Sequence, residues 1–260
     1  GVDIPAGRVE AAVAKLDGLV RELMDSTGIP GLAVAVVHGR KSVYAKGFGV
    51  RDIRNGDGPD NAVNADTVFQ LASMSKPVGA TVVAQQISAG TIAWDTPVVT
   101  RLPWFALSDP YVTDHITIAD LYAHRSGLPD HAGDRLEDLG YDRREVLQRL
   151  RYLPLAPFRD NYDYTNFGLT AAAEAVAGAA GVSWEQLSAD VLYRPLGMAS
   201  TSSRYADFLA RPNRALTHIK TDDSYQPRYQ RNPDAQSPAG GVSSSVNDMA
   251  RWLAMVLANG

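Results

Sequence analysis

The sequence predicts a mixed α+β protein, and three observations predict it. A valine-rich hairpin pattern follows an amphipathic helix near the start of the chain. A long middle region, from Ser73 to Pro195, repeats helix signals with little strand signal. A polar, irregular stretch then leads to one last helix. Strand and helix patterns that occupy separate parts of one chain point to segregated elements, here a helical region inserted after an α/β beginning.

Val9, Val13, Leu16, Val20 and Leu23 mark one face of a helix from about Arg8 to Asp25, ended by Gly28, Pro30 and Gly31. Leu32 to His38 is a short, continuously apolar run and reads as a buried strand. Gly39-Arg40-Lys41 reads as a turn and Ser42 to Val50 as the returning strand. Arg51 to Asn64, rich in Gly, Asp and Asn, reads as a long loop. An alanine-rich helix is expected from Ser73 to about Gln86. Thr117-x-x-Asp120, Asp142-x-x-Glu145 and Ser183-x-x-Gln186 resemble capping boxes. They predict helices over about Ile118–His124, Arg143–Arg151 and Trp184–Leu192, with another over Phe167–Ala179. From Thr201 to Ser237 only short strand-like stretches occur, such as Ala215 to Ile219. Ser244 or Ser245 then caps a helix from about Val246 to Leu257.

The chemistry starts at Ser73-Met74-Ser75-Lys76. On a helix, residues i and i+3 share a face with their Cβ atoms roughly 5–6 Å apart. Ser73 and Lys76 therefore point the same way, and a hydroxyl beside a base is what nucleophilic catalysis requires. A helix N-terminus also stabilises developing negative charge. Ser75 would sit about 100° around the helix from Lys76, off the shared face, as helix geometry dictates. The bland alternative is a serine cap followed by a surface lysine, since a Ser-x-x-Lys arises by chance about once in a chain of this size. Tyr164-Thr165-Asn166 lies at a loop–helix junction. A tyrosine whose pKa is lowered by a nearby cation relays protons, and an asparagine two residues on can bind a substrate carbonyl or the lysine. The alternative there is a buried tyrosine and an asparagine N-cap.

Taken together, Ser73-x-x-Lys76 and Tyr164-x-Asn166 resemble the class C β-lactamases and their relatives: penicillin-binding peptidases, D-aminopeptidases, β-lactamase-like carboxylesterases and amide hydrolases. Further phrases occur in the same order. Phe69 to Ala80 resembles the family's nucleophile segment, and Leu121 to Leu128 its "LLtHtSGL" phrase. Pro195-Leu196-Gly197-Met198 with Thr201 resembles "PLGM…T", and Ala239 to Ser244 resembles "aGGl.ST". The matches span nearly the whole chain from Ile29 onward.

The resemblance implies a β-lactamase/transpeptidase-like fold, an antiparallel sheet flanked by helices plus an all-helical region. Residues 1–67 and 205–260 would form the sheet-bearing domain, residues 68–204 the helical one, with the site between them. It implies Ser73 as the acylated nucleophile, Lys76 as its partner, Tyr164 as proton relay and Asn166 as a substrate or lysine ligand. The backbone N–H of Ser73 would be one oxyanion donor. Whether Lys76 or Tyr164 takes the serine proton stays open. The family's third motif, Lys/His-x-Gly on a later strand, is not found. Lys220-Thr221-Asp222, His131-Ala132-Gly133 and Ser245-Val246-Asn247 read as coincidences of letters or order. The closing strands are therefore expected to lie in a further segment or a second chain. The start at Gly1 points to a processed or engineered chain.

Composition sets the outer limits. The chain has 260 residues, no cysteine and a net charge of −4. Disulfides, thiol catalysis and cysteine-held metal are excluded, and nothing suggests nucleic-acid binding. No apolar run approaches the roughly 20 residues of a membrane-spanning helix. No metal or cofactor is expected, the partner is a small-molecule substrate, and the compartment stays open. His124 reads as a loop-holding residue. His115, His131 and His218 lack metal-like spacing. Asp134, Glu137 and Asp138 read as a solvated charged face. Trp94, Trp104, Trp184 and Trp252 read as core or groove packing, with Trp104 and Tyr111 as candidate groove residues. The function expected is a serine hydrolase acting through an acyl-enzyme on ester, amide or β-lactam bonds, esterase activity first and β-lactam turnover second. The alternative is a non-catalytic or penicillin-binding module of the same fold, a peptidoglycan or β-lactam sensor.

Overall fold

The structure, a computed structural model, describes residues 4–222 and 224–259. Gly1 and Gly260 lie outside the described residues. The expected first helix is two: α1 (Arg8–Val13) and α2 (Leu16–Thr27), separated at Ala14–Lys15. The bend lets Val9, Val13 and Leu16 follow the end of the hairpin, where they line a shallow cleft with Val36 and Val37. Gly28 closes α2 in the left-handed conformation, φ 70°, and its N–H reaches the Met24 carbonyl at 2.7 Å.

Strands β1 (Gly31–His38) and β2 (Lys41–Gly49) pair antiparallel around Gly39 and Arg40, whose φ angles are 54° and 65°. Positive φ at both central residues is the signature of a type I′ hairpin turn, whose twist suits the strands. A bulge at Val36/Val37 shifts the register. Contrary to expectation, β1 is only half-buried along its length. The reason is its surroundings. One long helix, α12 (Val246–Val256), packs on both strands, and among the described residues β2 is the sole strand beside β1. Two further antiparallel pairs, β3 (Phe69–Gln70) with β6 (Ser243–Ser244) and β4 (Ile219–Thr221) with β5 (Ser224–Gln226), complete the strands among the described residues. The stretch expected to be a strand at Ala215 begins with a bridge between Val68 and Arg214. Its regular part comes later, in β4.

The main core lies among the helices. The organising element is α8 (Asn166–Ala180), where Phe167, Ala171, Ala172, Ala173, Ala175 and Val176 are all fully buried. A helix apolar on every side belongs in an interior. Alanines let its neighbours approach closely. Around it pack α3 (Ser75–Ser88), α5 (Ile118–Tyr122), α7 (Arg143–Arg149), α9 (Trp184–Ser188) and α11 (Ser237–Gly240). Against α3, Gly79 leaves room for the Trp184 ring; a Cβ there would stand 3.1 Å from it. Besides α5, two more short helices run between α3 and α7, α4 (Pro110–His115) and α6 (Asp134–Asp138), and α10 (Tyr205–Ala210) follows α9.

Side-chain caps fix the starts of five helices among the described residues, α4, α5, α7, α9 and α12. Thr117 and Asp120 form a reciprocal capping box on α5, and Asp142 and Glu145 form one on α7. The third expected box is half made: Ser183 accepts from the Gln186 N–H, but the Gln186 side chain turns away to Asp190. After α9 the chain widens into a π-helical turn, Ala189–Tyr193, so the expected continuous helix to Leu192 is not α throughout. Helix α7 likewise tightens into a 3-10 turn at Leu150–Tyr152. Ser245 caps α12 by accepting from Asp248 N–H, which accounts for Ser245-Val246-Asn247 as a helix start.

Candidate active site

Ser73 is not in the helix that follows it. It occupies a 3-10 turn, Ala72–Met74, and α3 begins at Ser75. Ala72 has a left-handed backbone, φ 46°. For an alanine this conformation is strained by about 1–3 kcal/mol. The strained turn sits between β3 and α3, both pinned by pairing: Leu71 N–H reaches the Val242 carbonyl at 2.9 Å, and Gln70 pairs with Ser243. Ser75 is wholly buried and its hydroxyl accepts from the Val242 N–H at 2.9 Å. The two serines thus divide the work: Ser75 ties α3 to the 237–242 segment, and Ser73 faces the pocket.

Lys76 and Tyr164 converge on Ser73. The Ser73 Oγ and Tyr164 OH are 2.7 Å apart, and Lys76 Nζ donates to Ser73 Oγ at 3.2 Å. Lys76 also donates to Asn166 Oδ1 at 2.7 Å and to the Ala239 carbonyl at 3.0 Å. Three acceptors satisfy all three ammonium hydrogens. The ammonium lies 4.5 Å from the centre of the Tyr164 ring. Burial pushes the Lys76 pKa below its ordinary 10.5, while Tyr164 and Asp134 pull it back up.

Asn166 opens α8 rather than capping it; Thr165 is the N-cap and makes no side-chain cap bond. The freed amide works across the site. Its Oδ1 faces Lys76 and its Nδ2 donates to Asp134 Oδ2 at 3.0 Å. That carboxylate oxygen also lies 2.8 Å from His131 Nδ1. The Tyr164 ring is held between two imidazoles, 4.8 Å from His124 and 5.4 Å from His131. His124 Nδ1 accepts from the Thr165 N–H at 3.1 Å, which fixes the loop before α8. Burial and the nearby Lys76 lower the His124 pKa, favouring the neutral ring that this acceptor role needs.

Several readings change here. Asp134 and Glu137 are not a solvated face. Asp134 holds Asn166, and Glu137, its side chain 8% exposed, accepts from Arg231 and Gln236. The Ser73 pocket is lined by Gln70, Ala72, Asn166, Thr217, Arg231, Pro233, Gln236 and Gly240. Trp104 and Tyr111 are not among them. Arg144 stacks on Trp104, and Tyr111 stacks on His115 at the surface. Trp184 and Trp252 are buried as expected. Lys220 and Thr221 belong to β4, away from the pocket lining. The sequence missed Asp134, His131 and the Ala239 carbonyl. For the first two a signal existed, the His131-x-x-Asp134 spacing; a backbone carbonyl leaves none. Among the described residues no group of His, Asp or Glu is arranged to hold a metal ion, and no helix is long and apolar enough to cross a membrane.

Comparison with known proteins decides the family. The sequence model of the family described as Beta-lactamase matches residues 16–260. The chain belongs to the β-lactamase family. An unguisins hydrolase of Aspergillus campestris is 29% identical over 251 residues, covering 92% of this chain and 46% of that protein. Penicillin-binding protein 4 of Amycolatopsis lactamdurans is 31% identical over 240 residues, 89% of this chain and 60% of that one. The class C β-lactamase of Rhodobacter sphaeroides superposes with a TM-score of 0.76 at 26% identity, covering 94% of this chain and 65% of the other. The fold is β-lactamase/transpeptidase-like, and this family of serine hydrolases includes enzymes and penicillin-binding proteins among its relatives. The chain spans about half the length of the curated relatives it matches first.

Proposed function

We propose that this chain carries the acyl-transfer site of a serine hydrolase that cleaves ester, amide or β-lactam bonds through an acyl-enzyme. The observation that carries the reading is the position of Ser73 Oγ, 2.7 Å from Tyr164 OH and 3.2 Å from Lys76 Nζ. A hydroxyl touching two groups that can exchange its proton is an activated nucleophile. The Ser73 proton leaves to the Lys76–Tyr164 pair as the Oγ–C bond forms. The tetrahedral oxyanion is met by backbone N–H, that of Ser73 included. The pair returns a proton to the leaving oxygen or nitrogen as its bond to carbon breaks. Water, deprotonated by the same pair, then hydrolyses the acyl ester and restores Ser73. Lys76 is suited to this because burial favours its neutral form. Asn166 holds Lys76 and is available to a substrate carbonyl.

Intact-mass spectrometry after incubation with a fluorophosphonate and, separately, with a penicillin tests the reading. One adduct on Ser73, absent from Ser73→Ala, is expected. In serine hydrolases loss of the nucleophile costs up to about 10⁶ in rate, so Ser73→Ala should have no measurable esterase activity. Full esterase activity in Ser73→Ala would overturn the assignment. A penicillin adduct that persists would indicate a penicillin-binding protein, and one that clears a β-lactamase.

A further inference from the structure

Beside the Ser73 pocket lies a second cavity of about 300 Å³, and the two share Gln70 and Thr217 in their walls. Those two side chains form the partition: Thr217 Oγ1 donates to Gln70 Oε1 at 3.3 Å, and Gln70 Nε2 donates to the Arg231 carbonyl at 3.0 Å. The second cavity is walled by aromatic rings and by cations. Tyr205 and Phe208 stack at 6.1 Å, and Tyr229, from the segment after β5, also lines the space. Arg54, Arg214 and Arg228 all contribute, and among the described residues no acidic side chain lines the space.

The three arginines are not equivalent. Arg54 is neutralised by a bidentate pairing with Asp52. Arg214 is not. Among the described residues its guanidinium makes one hydrogen bond, Nη1 to the Arg211 carbonyl at 2.8 Å, while Nε is buried with no acceptor. Arg228 has no ion-pair or hydrogen-bond partner among the described residues. Arg214, with its Nε buried and unpaired, carries a desolvation cost that an anion would recover, while the exposed Arg228 adds positive charge beside it; a planar guanidinium is matched best by a carboxylate or phosphate. Aromatic walls favour an organic carrier over a free inorganic ion.

We propose that this cavity is a specificity subsite for substrates that carry a carboxylate at the end remote from the scissile bond, with Arg214 and Arg228 as its ligands. The inference rests on Ser73 being the reacting centre. The continuity at Gln70 and Thr217 lets one extended substrate occupy both spaces. Arg54, paired to Asp52, supports the wall without competing for the anion.

Two measurements separate this proposal from the reading it rests on. The first is binding of linear dicarboxylates to the Ser73→Ala variant by calorimetry, which needs no turnover. Saturable binding that weakens about tenfold in Arg214→Gln and in Arg228→Gln is expected, the scale of one charge-assisted hydrogen bond in a half-open site. No saturable binding, or binding indifferent to both substitutions, overturns the subsite whatever the fate of Ser73. The second compares kcat/KM for p-nitrophenyl monoesters of dicarboxylic acids, and for acetate esters of hydroxy acids, with neutral esters of equal length. The charged substrate in at least one series should be preferred about tenfold, with the ratio falling toward one in either arginine variant. Because Arg228 is exposed, its substitution leaves no buried gap, so a folding failure in Arg214→Gln does not remove the test. Ser73-dependent hydrolysis without charge preference in either series would overturn the subsite and leave the hydrolase reading standing.

Discussion

Arg143 is the side chain whose removal should be felt most widely. It reaches Glu174 Oε1 on α8 and Glu185 Oε1 on α9, each at 2.6 Å. It also donates to the carbonyls of Asp234 at 2.6 Å and Ala235 at 3.3 Å. Those carbonyls begin the segment that delivers the Ala239 carbonyl to Lys76. Arg143 is 18% exposed, and its partners 28% and 15%. Removing one member of a buried ion network costs about 3–5 kcal/mol, because the partners keep uncompensated charge. Partial exposure places Arg143→Met near the lower end, about 3 kcal/mol. For a protein of this size each kcal/mol moves Tm by about 2–4 °C, so a fall of about 6–12 °C is expected in calorimetry. The triple variant Arg143→Met/Glu174→Gln/Glu185→Gln should recover most of the loss, since neutral amides no longer need the guanidinium. A single-variant shift under about 2 °C would refute the argument that this cluster is worth more than a surface pair. Failure of the triple variant to recover would show that packing, not charge, sets the cost.

Other consequences follow from neighbouring residues. The negative charge of Asp134 raises the Lys76 pKa against the lowering by burial. In Asp134→Asn the pKa should therefore fall further, and the acid limb of the kcat/KM–pH profile should move to lower pH. Movement to higher pH would contradict the assignment of Lys76 to that limb. Asp248 is 2% exposed and accepts from Ser200 N–H at 2.8 Å, Thr201 Oγ1 at 2.9 Å and Arg251. Asp248→Ala should lose about 3 kcal/mol in urea unfolding, because these donors are left unpaired. Asp248→Asn, which keeps an acceptor, should lose clearly less.

Much of the site could be read in the sequence because its chemistry depends on short spacings. Ser73 and Lys76 stand three residues apart, and Tyr164 and Asn166 two; the structure brings all four together. What could not be read depends on backbone or on distant packing. The left-handed Ala72 turn carries no residue signature, since alanine rarely adopts it without tertiary restraint. The Ala239 carbonyl is a backbone group. Asp134 looked solvated because a run of acids has the same composition whether its carboxylates face water or an amide. The apolar run of β1 suggested burial on both faces, but an apolar run alone does not report how many neighbours a strand will find.

The β1–β2 hairpin takes its cover from α12, at the other end of the described chain. During synthesis that order has a cost in time. At about 5–20 residues per second, the roughly 200 residues separating hairpin and helix take about 10–40 s to emerge. A hairpin forms in about 1–10 μs, so its apolar face is ready long before its lid exists. For that interval the face of the ribbon that α12 will cover stays open, an obvious hold for a chaperone and a hazard on crowded ribosomes. The same wiring gives the finished protein a latch: fraying of α12 uncovers the hairpin at once, so loss of the last helix and loss of the first strands should occur as one event.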